Sequence, residues 1–187
     1  MTELLFETPR LLLRSVNESA TPEILAYLKR NETFLEPWEI KRDASYFTLE
    51  HQQTLLTDEA AKMAQGSFCK VWIYLKEGEG EGHVIGSAAL SNIVRGAFQS
   101  CHLGYKLDEQ QQSKGYMTEA LQALIRYTFE DLKLHRIEAN IIPRNAASLS
   151  VVKKLGFYEE GLALKYLLIN GVWEDHIHMV LRNEQME

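Results

Sequence analysis

Apolar positions along the chain fall into two rhythms. From Gln110 to Phe129, "QQQSKGYMTEALQALIRYTF", a polar start passes into a stretch with one amphipathic face. There Ala120, Leu121, Leu124, Ile125, Thr128 and Phe129, continued by Leu132, recur at spacings of three and four and predict a long helix. "TPEILAYLKR" predicts an earlier helix with Thr21 as N-cap and Pro22 at its first position, and a second helical stretch runs from about Leu49 to Met63. Between them "NETFLEPWEIKRDASYF" is rich in aromatics and broken by Pro37, so it reads as largely irregular; Phe34, Leu35 and Trp38 either carry recognition or plug the core. "NAASLSVVKKLGF" predicts a short helix with Asn145 as N-cap and Gly156 beyond its end.

Period-two alternation marks the strands. "RLLLRS" from Arg10 predicts the first, and "KVWIYLK" and "HVIGSAALSNIV" two more, joined by "EGEGEG" as an exposed hairpin loop. In "SCHLGYKL" the residues Cys101, Leu103, Tyr105 and Leu107 alternate with more polar partners, and this strand ends just before the long helix. "HRIEANIIP" follows that helix, and "LALKYLLI" and "VWEDHIHMVL" flank Asn170-Gly171, a strong hairpin signal. The order is antiparallel strands, then strand, helix, strand, helix, then a hairpin, which is an α+β (mixed α/β) fold without internal repeats.

The length of 187 residues suits one domain over 1–187, within the usual range of roughly 100–200 residues. Hydrophobic residues make up 45% and charged residues 25%, an ordinary balance for a soluble protein. No apolar run approaches the roughly 20 residues of a membrane span. The N-terminus "MTELLFETPR" lacks the basic and apolar regions of a secretory signal, so the expected location is the cytoplasm. Cys69 and Cys101 are the only cysteines, too few for a disulfide framework or a zinc site and expected as two buried thiols. A formal charge of -6 argues against direct nucleic-acid binding.

Ser113-Lys114-Gly115 falls at the start of the long helix. A helix start carries unpaired backbone N–H groups and roughly half a positive charge, and a glycine there allows close approach, so the site favours phosphate or another anion. Backbone N–H groups from Gln112 to Met117 can cradle two phosphates, with Lys114 adding a flexible cation at the rim. An ordinary surface helix start is the alternative. His176 and His178 share a strand face, but two ligands without a third make a metal site a poor reading, and they are expected to be structural or solvated.

Strand, Gln-x-x-Gly loop, helix, strand and an Asn-led helix ending in Leu-Gly-Phe together resemble the GCN5-related N-acetyltransferases (GNAT) over nearly the whole chain. That family holds the acetyl-CoA pyrophosphate on a Q/R-x-x-G-x-G/A loop, here Gln112-Ser113-Lys114-Gly115-Tyr116-Met117, with Met117 departing from the small residue. "FLEPWE", "RDAS", "SNIVRGAF", "LGYKL", "HRIEANIIPRN" and "KYLLINGVWEDH" are similar to its ribosomal-protein alanine N-acetyltransferase branch. The resemblance implies a central, mostly antiparallel sheet splayed at the acetyl-CoA site with flanking helices. Acetyl-CoA is the implied co-substrate, and no metal is needed.

By the same resemblance the backbone N–H of Tyr105 faces the acetyl carbonyl, and the pantetheine arm pairs with that strand near Leu107. Ser148 is the implied proton donor to the leaving thiolate, unless it merely satisfies first-turn backbone donors, and Asn145 is both N-cap and CoA contact. Glu36, Trp38 and Glu39 are expected to line the amine's entry with Tyr166 opposite. No carboxylate stands at the places where other branches keep their base: those positions hold Asn140, Val152, Cys101 and Leu167. Glu138 either orders a water for base catalysis or is a solvated surface charge.

An α-amine has a pKa of about 7.7–8.0 against about 10.4 for lysine, so a missing base is tolerable for a protein N-terminus. The expected acceptor is therefore a protein N-terminal amine, and the resemblance implies that of a ribosomal protein beginning with Ala. A polyamine or antibiotic acetyltransferase, or a CoA-binding module without catalysis, are the alternatives, and the protein is expected to be a monomer or homodimer.

Overall fold

The structure is a computed structural model that describes residues 4–76 and 82–187. Among the described residues eight strands form one sheet: β1 (Leu5–Glu7), β2 (Leu11–Arg14), β3 (Cys69–Leu75), β4 (Val84–Val94), β5 (Ser100–Leu107), β6 (Arg136–Ile141), β7 (Tyr158–Ile169) and β8 (Val172–Arg182). Their order across the sheet is β1-β2-β3-β4-β5-β6-β8-β7, and every neighbouring pair is antiparallel except β5 with β6. Helices α1 (Thr21–Leu35) and α2 (Leu49–Ala64) cover one face, and α3 (Tyr116–Glu130) and α4 (Ala146–Lys154) cover the other.

The two faces follow from alternation along the strands. In β3, Val71 and Ile73 point into a core with Leu121 and Leu124 of α3, while Trp72 and Tyr74 point into a second core with Ile24, Tyr27 and Leu28 of α1. Because β3 is covered on both sides it reads "VWIYL", a continuous apolar run rather than an alternating one. Cys69 and Cys101 are both buried, and burial pushes each thiol up to about 12.

A gap opens in the middle of this sheet. The register of β5 with β6 runs from Ser100↔Arg136 to His102↔Glu138 and stops there. Beyond it β5 stays with β4 as far as Leu107, whereas β6 stays with β8 as far as Ile141, so the two parallel strands part company. The sheet is therefore mostly antiparallel and splayed at its centre.

Several expectations need correction. The first strand is β1, three residues that alternation alone does not reveal, paired with β2 through Phe6↔Leu13. Thr21 does not cap α1: Ala20 holds the N-cap position without a side-chain hydrogen bond, and the Thr21 hydroxyl donates instead to the Glu18 carbonyl at 2.6 Å. The aromatic segment is more regular than expected, because α1 continues to Leu35 and 3-10 turns follow at Glu36–Trp38 and Ala44–Phe47. The "EGEGEG" loop lies outside the described residues but for Gly82. At the Asn170-Gly171 turn, φ is 43° and 81°, the left-handed pair that a two-residue hairpin of this twist requires.

Candidate active site

A cavity of about 450 Å³ occupies the gap between β5 and β6. Leu103, Tyr105 and Leu107 line it from the α3–α4 face of β5, and Lys106 from the opposite face, so the cavity passes through the sheet. The backbone of β5 supplies directed donors. Asp108 N–H bonds the Ile85 carbonyl at 2.7 Å, and since N–H directions alternate along a strand, those of Tyr105 and Leu107 turn away from β4 toward the gap.

On the α3 side the chain leaves β5 through a turn capped by Asp108, whose carboxylate accepts from Gln110 N–H at 2.9 Å. Asp108 is itself held by Arg30 at 2.6 Å and by Asn31 at 3.1 Å, both on α1. Burial would raise its pKa, but these hydrogen bonds outweigh burial and hold the carboxyl below the ordinary range. Ser113 and Gly115 then adopt left-handed backbones, φ 60° and 80°, and Gly115 is the N-cap of α3. Such a turn against a helix start is a concave nest of backbone donors suited to phosphate.

Arg10 braces this loop from outside. Its guanidinium donates to the Lys114 carbonyl at 2.9 Å and to Glu119 at 2.7 Å, and it lies 4.5 Å from the centre of the Tyr116 ring. Glu119 also accepts from Thr8 Oγ1 at 2.6 Å and from Arg10 N–H at 2.8 Å. Burial acts to raise the Glu119 pKa; these bonds overcome it and leave the carboxyl below its usual range.

Asn145 caps α4, its side chain accepting from Ser148 N–H at 3.1 Å. The Ser148 hydroxyl is thereby released from capping duty and meets the Tyr105 phenol, O to O 2.7 Å, and the Ser148 carbonyl at 3.0 Å is a second acceptor within reach of the phenol's one proton. Burial pushes the phenol up to about 12, so it keeps its proton near neutrality.

On the other side of the sheet Trp38, Glu39, Lys106, Asn140 and His176 line the cavity. Glu39 accepts from Lys106 at 2.8 Å. Arg144 links three elements: it donates to the Pro37 carbonyl at 3.2 Å, pairs with Glu174 at 2.9 Å and lies 5.1 Å from the Trp38 ring centre.

Of the residues selected from sequence, Tyr105, Leu107, Gln112, Ser113, Gly115, Tyr116, Met117, Asn145, Ser148, Trp38 and Glu39 all line this one cavity. Four do not. Lys114 turns its ammonium to Gln111 at 2.9 Å, and Glu36 is exposed on the adjoining turn. Tyr166 stands behind the lining, its ring 5.6 Å from His176 and 4.9 Å from His178. Glu138 sits where β5 and β6 are still paired, bonded by Arg136 at 2.7 Å and 3.7 Å from His102; it is a partly exposed, ion-paired carboxylate outside the cavity lining. Sequence reasoning missed the Tyr105 side chain, Arg10 and His176. For His176 the alternation of "VWEDHIHMVL" carried a signal, since it puts His176 on the face opposite the partly buried Ile177 and the buried Met179. Among the described residues no cluster of three or more His, Cys, Asp or Glu could hold a metal.

The model of the acetyltransferase (GNAT) domain matches residues 10–158. This chain belongs to the GNAT family. Among GNAT relatives, the [ribosomal protein uS5]-alanine N-acetyltransferase of Escherichia coli is 39% identical over 170 residues, 91% of this chain and 86% of that protein. The structure of the ribosomal-protein-S5-alanine acetyltransferase from Vibrio fischeri superposes with a TM-score of 0.91 at 36% identity, covering 98% of this chain and 99% of that one. Mycobacterium smegmatis RimJ, solved in complex with CoA-disulfide, gives 0.87 at 27% identity over 94% of this chain and 83% of that one. The protein is a GNAT acetyltransferase with acetyl-CoA as its co-substrate, and its mixed α/β sheet is the GNAT fold.

Proposed function

We propose that this protein acetylates the N-terminal α-amine of another protein, with a ribosomal protein beginning with Ala as the acceptor. The observation that carries the reading is the charge of the acceptor side. Glu39 is the one carboxylate among the described lining residues, and Lys106 neutralises it. A polyamine or aminoglycoside needs several unpaired carboxylates to offset its desolvated ammonium groups, and this lining offers none. A single α-amine, about half neutral near pH 8, needs no such set. The relatives named for alanine N-acetylation support the same acceptor.

In this reading the whole chain, 1–187, works as one acetyltransferase domain. The loop from Gln112 to Met117 holds the pyrophosphate, and the outward N–H groups of β5 receive the pantetheine arm beside Leu107. The Tyr105 N–H faces the acetyl carbonyl, where it stabilises the oxyanion that forms as the amine attacks. Ser148 protonates the departing sulfur and is resupplied by the Tyr105 phenol. Trp38 and Glu39 border the acceptor's entry, with Glu36 at the rim and Tyr166 behind. Glu138 and Lys114 have no part in the chemistry. No described helix is long and apolar enough to cross a membrane, and an acceptor on the ribosome places the enzyme's work in the cytoplasm.

The test is an acceptor panel with acetyl-CoA: peptides beginning with Ala or Ser, a polyamine and an aminoglycoside. Turnover led by the Ala peptide supports the reading. Turnover confined to the polyamine or aminoglycoside transfers it to the small-amine class, and CoA binding without any turnover makes the protein a binding module.

A further inference from the structure

The reaction must remove two protons from an alkylammonium, one leaving on the thiol and one going to a base. Ser148 and Tyr105 stand on the thiol's side of the gap, and the places where other branches keep a carboxylate are closed to that role. Cys101 and Val152 are both 0% exposed in the core, and Asn140 is an amide that can accept a hydrogen bond but not a proton. A proton acceptor on the acceptor face would let the enzyme use the ammonium form that dominates at pH 7 and not only the neutral fraction.

Glu39 is tied to Lys106, which leaves one other proton acceptor among the described lining residues of that face. His176 lines the cavity, and its Nδ1 lies 3.0 Å from the Glu174 carbonyl. A carbonyl only accepts, so Nδ1 carries the proton and Nε2 of the neutral ring is left with its lone pair. Among the described residues Nε2 has no hydrogen-bond partner. The ring is held in place by the edge contact with Tyr166, and the Glu174 segment is fixed by Arg144. Asn140 also lines this side, and since Asn140 and His178 are register partners, Asn140 and His176 share one sheet face.

We propose that His176 Nε2 takes a proton from the acceptor's ammonium group as general base. The nitrogen lone pair then forms the C–N bond as the C–S bond breaks and the sulfur takes a proton from the Ser148–Tyr105 pair; the second proton leaves the new amide nitrogen and restores that pair through solvent, and the imidazolium releases its proton to solvent through the cavity mouth. The groups around the ring leave it neutral at rest. Burial pushes its pKa below the ordinary imidazole range and the nearby His178 acts the same way, while Glu174 and Asp175 pull upward without prevailing. From the other elements Tyr166 is a neutral ring, Asn140 is uncharged, and Glu39 and Lys106 pair with each other. The inference rests on amine acetylation but holds for any amine.

The assay uses whichever acceptor the wild type turns over fastest, so a mistaken acceptor changes the substrate and not the comparison. His176→Gln should lower kcat/KM about 100-fold at pH 7, with acetyl-CoA affinity within about threefold and the loss shrinking at high pH, where the amine is already neutral. Added imidazole should restore part of the activity of His176→Ala. In the wild type, imidazole-carbon NMR should give His176 a pKa that coincides with a limb of the kcat/KM profile. A His176→Gln enzyme within threefold of wild type with an unchanged profile overturns the proposal, and so does an NMR titration that matches no kinetic limb.

Discussion

Tyr105 and Ser148 are 43 positions apart in the chain and share a 2.7 Å hydrogen bond at the end of β5. The serine was legible, because an Asn-led helix start announces it; the phenol was not, because only the docking of α4 on β5 decides which strand side chain meets it. Ser148→Ala should lower kcat about 100-fold while acetyl-CoA affinity stays within about threefold, since the lost interaction belongs to the transition state. Tyr105→Phe keeps the packed ring and should lower kcat in the same direction. The double variant should be little worse than Ser148→Ala alone, because the two hydroxyls act as one unit. Steady-state kinetics on all three, compared as free energies, checks this; additive losses would mean two independent roles. Glu138 shows the opposite failure of sequence reading. Alternation put it on the correct face, yet nothing in the local pattern says that Arg136 binds its carboxylate or that the gap opens only after His102.

At the scale of elements, the loop before α3 was readable from Ser113-Lys114-Gly115 because its chemistry is local: a positive φ at Gly115 and a helix start directly after it. Its brace was not, since Arg10 arrives from the start of β2, over a hundred residues away in sequence, to reach the Lys114 carbonyl. A Cβ at Gly115 would stand 3.4 Å from the Arg10 guanidinium at φ 80°, so strain joins charge repulsion in Gly115→Glu. That variant should fold yet lose the rise in melting temperature that acetyl-CoA gives the wild type, a difference read directly by thermal shift. Arg10→Ala should raise the KM for acetyl-CoA about tenfold with kcat nearly kept, because it loosens the phosphate cradle without touching the reacting atoms. The misread N-cap at Thr21 has a physical cause as well. Asn17 already caps the 3-10 turn at Glu18–Ala20 that runs straight into α1, so the helix start needed no capping side chain of its own.

Over the whole molecule, period and turn chemistry carried most strands and all four helices, while the gap in the sheet lay beyond them, because strand register is a relation between distant segments. The same long-range relations set the response to acid. Glu160, hydrogen-bonded by Arg136 across the edge of the sheet, has its pKa lowered to about 2, and Asp108 and Glu119 are lowered as well. A carboxylate depressed in the folded state contributes stability that is fully present above its unfolded pKa and is lost as pH falls through the folded one. The melting temperature should therefore hold near neutrality and fall as pH drops from about 4.5 toward about 2. Because Asp108 and Glu119 brace the phosphate loop, acetyl-CoA's stabilising effect should weaken across the same window, which thermal melts with and without the ligand will follow. The central claim, transfer of acetyl to a protein α-amine, is tested most directly by one peptide that begins with Ala and carries internal lysines. After incubation with enzyme and acetyl-CoA, fragment mass spectrometry should find the added acetyl group on the first nitrogen and the lysines unmodified, and the same peptide formylated at that nitrogen should be a poor substrate. Acetyl groups mainly on lysine, or equal turnover of the formylated peptide, would contradict the account.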